Sequence, residues 1–464
     1  MHHKQHFILI SVTALVLLCL AFTNILNNEN NKLIHIPPSV QRNGDSARGY
    51  NYLTTGDYLK SGIPYSYYKT FAPKDYNNYL NRTGKNAFVP YDFNVVTAPN
   101  KIEVVVPTCL QCHAQVFDGK LCIGLGNTFQ DFSRMSDGNN PVKNLMSSIM
   151  QTFSPKSYAA ALPIFTSFDA TLPFMQTEVR GVNAADRLAT ILVAHRDPKT
   201  LVWQQEPILG IPKEVIPTDV PAWWLLKKKN AMFYNGFGRG DFGKFLMLSN
   251  ILTVKDTSEA AEVNSHFGDV LAYIKSINPP KYPRAIDKTL STEGETIYVN
   301  NCSKCHGTYG NNGSYPNLLI PASIIKTDSL LYKGNQQNPQ FIEWFNKSWF
   351  AQGEHPARLQ PFDGYIAPPL DGVWITAPYL HNGSVPSLES LLNSKTRPKY
   401  WKRNFKSPSY DYENIGWAYQ SVDKPQRRTT YNTTLPGYSN SGHTFGDKLT
   451  DAERKAVIEY LKTL

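Results

Sequence analysis

Cysteine is scarce in this chain, six residues in 464, so a disulfide-dense scaffold is excluded and each cysteine needs its own account. Long basic runs are lacking too. The formal net charge is +10, but the basic residues are scattered apart from Lys227, Lys228 and Lys229. The charge therefore gives no nucleic-acid reading, and permits only docking to an acidic redox partner or an anionic lipid surface. Core-forming side chains are plentiful: 41% of residues are hydrophobic and 12% aromatic, which makes a globular chain. At roughly 100–200 residues per domain, the length holds two or three cores.

Charge is absent from Phe7 to Leu26, a stretch of the length that crosses a bilayer as a helix. Lys4 precedes it and an Asn-rich segment, Asn27 to Asn31, follows. Residues 1–27 are expected to be a signal peptide or a membrane anchor, and the sequence leaves both open. Cys19 lies inside this segment. Residues 28–45 read as a linker, and the mature protein as periplasmic or held at the cell envelope.

Four of the other five cysteines fall in two runs, Cys109-Leu-Gln-Cys112-His113 and Cys302-Ser-Lys-Cys305-His306. With this composition one Cys-x-x-Cys-His run arises by chance roughly 0.002 times. The spacing has a chemical reason. Two thiols three positions apart can add to the two vinyl groups of one haem, and the adjacent histidine then lies beneath the ring as an axial ligand. A disulfide or a thioredoxin-like pair would not need the histidine. A zinc site would need two pairs grouped together. The expectation is two covalently bound haem c groups, with His113 and His306 on iron. Cys122 reads as a buried apolar thiol.

Residues 46–285 are expected to form an N-terminal haem domain and 286–464 a C-terminal cytochrome c domain, with Pro279, Pro280 and Pro283 at the boundary. The run Lys101–Pro107 reads as extended; 184–197 and 255–277 read as helical. Thr292 with Glu295, and Thr450 with Glu453, have the spacing of capping boxes. They open amphipathic helices before the second haem motif and at the carboxyl end. Helices so placed resemble the crossed pair of class I cytochromes c. The fold is expected to be mainly α: two cytochrome c-like haem domains with long loops, plus the N-terminal signal or anchor helix.

A second axial ligand is sought among His35, His195, His266, His355, His381 and His443. Met135, Met146, Met150, Met175, Met232 and Met247 are candidates for the first iron. His381 lies in Ala377-Pro-Tyr-Leu-His381-Asn-Gly-Ser384, and His443 in Gly442-His443-Thr-Phe-Gly446. With Pro368-Pro-Leu-Asp-Gly-Val-Trp374, these runs resemble the bacterial dihaem cytochrome c peroxidase superfamily, and within it the rubber oxygenase-like branch. The likeness runs from about residue 48 onward and is strongest from 290 to 464, although this chain is shorter than the rubber-cleaving enzymes. The resemblance implies that His381 hydrogen-bonds near a haem, that His443 is the sixth ligand of the second iron (His381 being the alternative), and that the first haem has an open side.

Trp223 and Trp224 are candidates either for the open haem face or for a place between the haems, as an aromatic holds in that superfamily. Arg239 is a candidate partner for a haem propionate. The three lysines read as a solvated turn. Four activities stay open: electron transfer with a donor or acceptor protein as oxidoreductase chemistry of unspecified substrate, peroxide reduction, oxygenation of an apolar small molecule with dioxygen, and a non-enzymatic relay. An oxygenase would want an apolar pocket, for which Trp223, Trp224 and Phe233 would serve.

Overall fold

The computed structural model describes residues 32–71, 77–134 and 141–464. The segment 1–27, Cys19 and Met135 lie outside the described residues. Among the described residues no helix is long and apolar enough to cross a membrane.

The fold is mixed α/β, 40% helix and 14% strand in several small sheets, and this corrects the expectation of a mainly α protein. The reason is local. Val104, Val105 and Val106 form the buried stretch of a strand, Glu103–Pro107, paired antiparallel with Phe93–Thr97 in the register Val95 to Val105. β-Branched side chains fit such a pleated, buried surface. Directly after the first haem motif, Ala114–Phe117 turns back on Lys120–Ile123. The connection is Asp118-Gly119, both at positive φ, the two-residue turn that matches strand twist. Farther on, Tyr400–Arg403 is flanked by Tyr419–Ser421 and Tyr431–Asn432. These strands are too short to show a period of two in sequence.

The expected helices fall at Ala185–Ala194 and, for 255–277, as two pieces, Thr257–Ser265 and Phe267–Ser276. Helix Phe267–Ser276 lies against Ser46–Thr55, where a Cβ on Gly49 would meet Asp269 O at 2.0 Å. Helix Lys288–Asn301 begins earlier than Thr292. Asp287 caps it by accepting from Thr289 N and Leu290 N, so the Thr292–Glu295 box does not form. The Thr450–Glu453 box does form and opens Asp451–Leu461. These two helices cross at Gly294, whose missing Cβ lets Ala456 O approach, and Tyr298 packs on Tyr460 at 5.2 Å.

Two large cores result. The first joins Leu53, Val104, Leu110, Phe165, Trp223, Phe245 and Ile274 with Trp344 and Phe350, so the chain returns to it after the second haem motif. The second joins Phe117 and Trp224 with Tyr298, Trp374, Trp417 and Tyr460. The adjacent tryptophans therefore belong to different cores.

Candidate haem-binding sites

The first motif ends as one helical turn, Leu110–His113, which brings Cys109 and Cys112 to one side. The Cys109 amide donates to the Tyr58 hydroxyl at 3.2 Å, and Asn183 Nδ2 lies 3.5 Å from Cys112 Sγ. Both thiols are free. The His113 ring stacks on Trp223, centroids 4.5 Å apart and planes 17° apart. Its Nδ1 is buried with the Pro221 backbone as the opposing polar group, and burial outweighs that contact and pushes its pKa down to about 3. A neutral imidazole is the form that binds metal.

The second motif lies on Ser303–His306. His306 Nδ1 donates to Pro368 O at 2.8 Å. A carbonyl can only accept, so the proton is on Nδ1 and Nε2 keeps its lone pair. Across from it stands His443, ring centroids 6.1 Å apart. Imidazole–metal bonds are about 2.0–2.1 Å, so two rings on opposite sides of one metal have centroids roughly 6 Å apart. The centroid separation of this pair matches that spacing, with the ring planes 63° apart. Burial, with the His306 ring and the Arg397 guanidinium adding, pushes the His443 pKa down to about 3. Among the described residues no group of three or more His, Cys, Asp or Glu is placed to hold a metal ion. A metal between these two rings would need in-plane ligands from a bound group. A porphyrin tethered to Cys302 and Cys305 supplies four, and the donor set fits it.

His381 sits elsewhere. It is buried, its Nε2 3.0 Å from Tyr365 Oη, and that hydroxyl donates to Asp328 O at 2.6 Å. The tyrosine proton is thereby used, so His381 Nε2 donates and has no lone pair for iron. Arg239 lies on Gly238–Gly240, with Nε 3.4 Å from Gln360 Oε1 and Nη1 buried without a partner. An unpaired guanidinium N–H suits an anion such as a propionate. Trp224 Nε1 donates to Asp371 O at 2.8 Å. Of the lysines, Lys227 is exposed and donates Nζ to Asn278 Oδ1 at 2.7 Å, while Lys228 is half-buried, pairs with Asp371 at 2.7 Å and lies over the Tyr309 ring. The helical stretch Trp223–Lys227 at the junction of the cores turns them toward these acceptors. Phe233 is 40% exposed and edge-on to Phe245 at 5.5 Å.

A buried carboxyl beside His381 was not legible in sequence. Asp219 N donates to His381 O at 2.8 Å, and Tyr234 Oη donates to Asp219 Oδ2 at 3.1 Å. Desolvation pushes the Asp219 pKa up to about 8, so at neutral pH the folded carboxyl holds its proton. The folded pKa lies above the unfolded one, so this group's contribution is fully present below about pH 4 and is lost as pH rises to about 8. Its slope is at most about 1.4 kcal/mol per pH unit. Denaturant titrations at several pH values should show that fall in wild type and a flatter profile in Asp219→Asn. An equal slope in both proteins would remove Asp219 as its source.

Paired thiols beside a neutral imidazole, with helices Lys288–Asn301 and Asp451–Leu461 crossing at a glycine, are features found in c-type cytochromes. Residues 364–402 match the family described as RoxA-like, cytochrome c-like. This supports a RoxA-like cytochrome family and, with a cytochrome c-like domain, implies covalently bound haem c. The chain is also similar to two uncharacterized proteins of Sinorhizobium fredii. It is 27% identical to y4iM over 54% of this chain and 66% of that protein. It is 29% identical to y4iJ over 40% of this chain and 41% of that protein. The matches thus span less than two thirds of either relative.

Proposed function

We propose that this chain is an exported dihaem c-type cytochrome performing electron-transfer or oxidoreductase chemistry, with the N-terminal haem as the reactive centre and the C-terminal haem as the electron-transfer centre. Haem supplies a one-electron iron couple at each motif. The observation that carries the reading is the facing pair His306 and His443, 6.1 Å between centroids. Two imidazoles could hold one haem iron between them, which would suit electron transfer and leave substrate chemistry to the other site. Export is supported by the uncharged stretch Phe7–Leu26 behind Lys4.

The residues between the motifs favour electron exchange between them. His113 stacks on Trp223; Trp224 follows in the chain and donates to Asp371 O; Pro368, three residues before Asp371, accepts from His306. Trp223 lies against the proximal imidazole, so it serves this route and not the opposite face of the first haem.

Absorption and electron paramagnetic resonance spectra of the haem-loaded ferric protein test the proposal. One low-spin bis-imidazole centre that disappears in His443→Ala, beside one high-spin centre, is the expected result. Two low-spin centres in wild type would replace the reading with a non-enzymatic relay. Given a high-spin centre, turnover with peroxide against uptake of dioxygen with an apolar substrate separates peroxidase from oxygenase.

A further inference from the structure

His443 is carried by a loop that side chains from distant parts of the chain hold in place. Gly442 and His443 both take positive φ, +72° and +44°, and for histidine that conformation is strained. The loop is exposed in part and has no regular secondary structure; the His443 amide donates to Ile325 O at 2.8 Å and Ser441 N to Ser439 Oγ at 3.2 Å, which leaves other carbonyls and amides to be paired by something else. Three side chains do so.

Arg397 supplies one end. Its Nη1 donates to Asn440 O and Gly442 O at 2.7 and 2.6 Å, and its Nη2 to His443 O at 3.0 Å. The same guanidinium reaches back through Nε to Ser390 O and through Nη2 to Leu391 O, both at 3.0 Å. All five contacts are backbone carbonyls, so one planar fork ties the ligand loop to helix Leu388–Leu392. Asp328 supplies the other end. Its Oδ2 accepts from Gly437 N and Ser439 N at 3.1 and 3.2 Å, and its Oδ1 from Leu330 N at 2.8 Å. Asn382, fully buried, fills the gap by donating from Nδ2 to Gly437 O and Ser439 O at 2.9 and 3.0 Å.

We infer that Arg397, Asn382 and Asp328 are positioning residues that clamp loop 437–443 and hold His443 across from His306. This rests on the reading of His443 as an axial ligand and deepens it. It also gives His381 and Asn382, adjacent in the Leu-His-Asn-Gly run, a shared task. His381 supports Asp328 through the Tyr365 hydroxyl, and Asn382 holds the loop directly. The clamp would hold His443 in place before haem is bound, so moving His443 away would have to break several backbone hydrogen bonds together.

The test compares Arg397→Met, Arg397→Lys and Asn382→Ala with wild type and His443→Ala, all as haem-loaded protein with haem content checked. The readouts are the low-spin bis-imidazole signal and titration with free imidazole. Arg397→Met is expected to lose most of that signal, as His443→Ala does, and free imidazole should restore it in both. Arg397→Lys keeps the charge without the fork and should fall between. Asn382→Ala should bind imidazole at the second iron where wild type does not. If Arg397→Met does not mature, the other two variants are read by the same criteria. A full low-spin signal and no imidazole uptake in the clamp variants, with His443→Ala converted, overturns the clamp alone. A full signal in His443→Ala overturns the ligand reading on which it rests.

Discussion

Replacing Cys109 and Cys112 together by serine is expected to leave a protein with one covalently attached haem, on Cys302 and Cys305. The converse pair should leave one on Cys109 and Cys112, and all four changes together none. The argument is that each motif is self-contained. Cys109 and Cys112 lie on one turn with free thiols, and so do Cys302 and Cys305. Each turn ends in a half-buried histidine whose pKa desolvation depresses. Nothing in either turn depends on the other motif. Both changes should cost stability, because Cys109 packs against the core that holds Leu110, Val104 and Met247 and Cys302 against the core that holds Tyr298 and Tyr460, and an unfilled space there costs the contacts its lining would make. Denatured mass and haem staining after gel electrophoresis give the count directly. A wild-type mass equal to the bare polypeptide, from a host able to attach haem, would sink the two-haem proposal.

Trp223→Ala is expected to have the next largest effect, on two measurements at once. Trp223 is 3% exposed, and removing a buried aromatic side chain costs about 3–5 kcal/mol. It also strips the ring that stacks on His113. Electron exchange between the centres should slow roughly tenfold or more, a rise in barrier of at least ~1.4 kcal/mol. Trp223→Phe keeps a ring there and should recover part of both. Trp224→Phe keeps a ring in the core but removes part of the indole volume and the N–H that meets Asp371 O; about 0.5–1.5 kcal/mol is the usual net value of such a bond, and the lost volume adds to it. Rapid reduction of one centre followed by absorbance at both would read the exchange rate, with equilibrium potentials measured alongside. Unchanged exchange in Trp223→Ala would assign the tryptophan to packing and move the route elsewhere.

The haem motifs were legible because their chemistry is local. Thiols three positions apart and a neighbouring histidine are one helical turn, whatever the rest of the chain does. The Thr450–Glu453 box was legible for the same reason, whereas Thr292 was misread because Asp287, just upstream, makes a competing cap. The strands were underread. Asp118-Gly119 is a hairpin signal in plain sight, but the strands near Tyr400, Tyr419 and Tyr431 are too brief to show alternation.

The sequence by itself determined where thioether bonds can form, which two histidines follow them, and how the last helix begins. Only the tertiary structure decided that His443 faces His306, that His381 is turned away to Tyr365, that Arg397 and Asp328 grip the loop between them, and that Trp223 and Trp224 divide between two cores. Bond formation at a motif depends on spacing along one turn. A facing pair, a clamp or a bridge depends on residues far apart in the chain, and their distances are fixed only by how the whole chain packs.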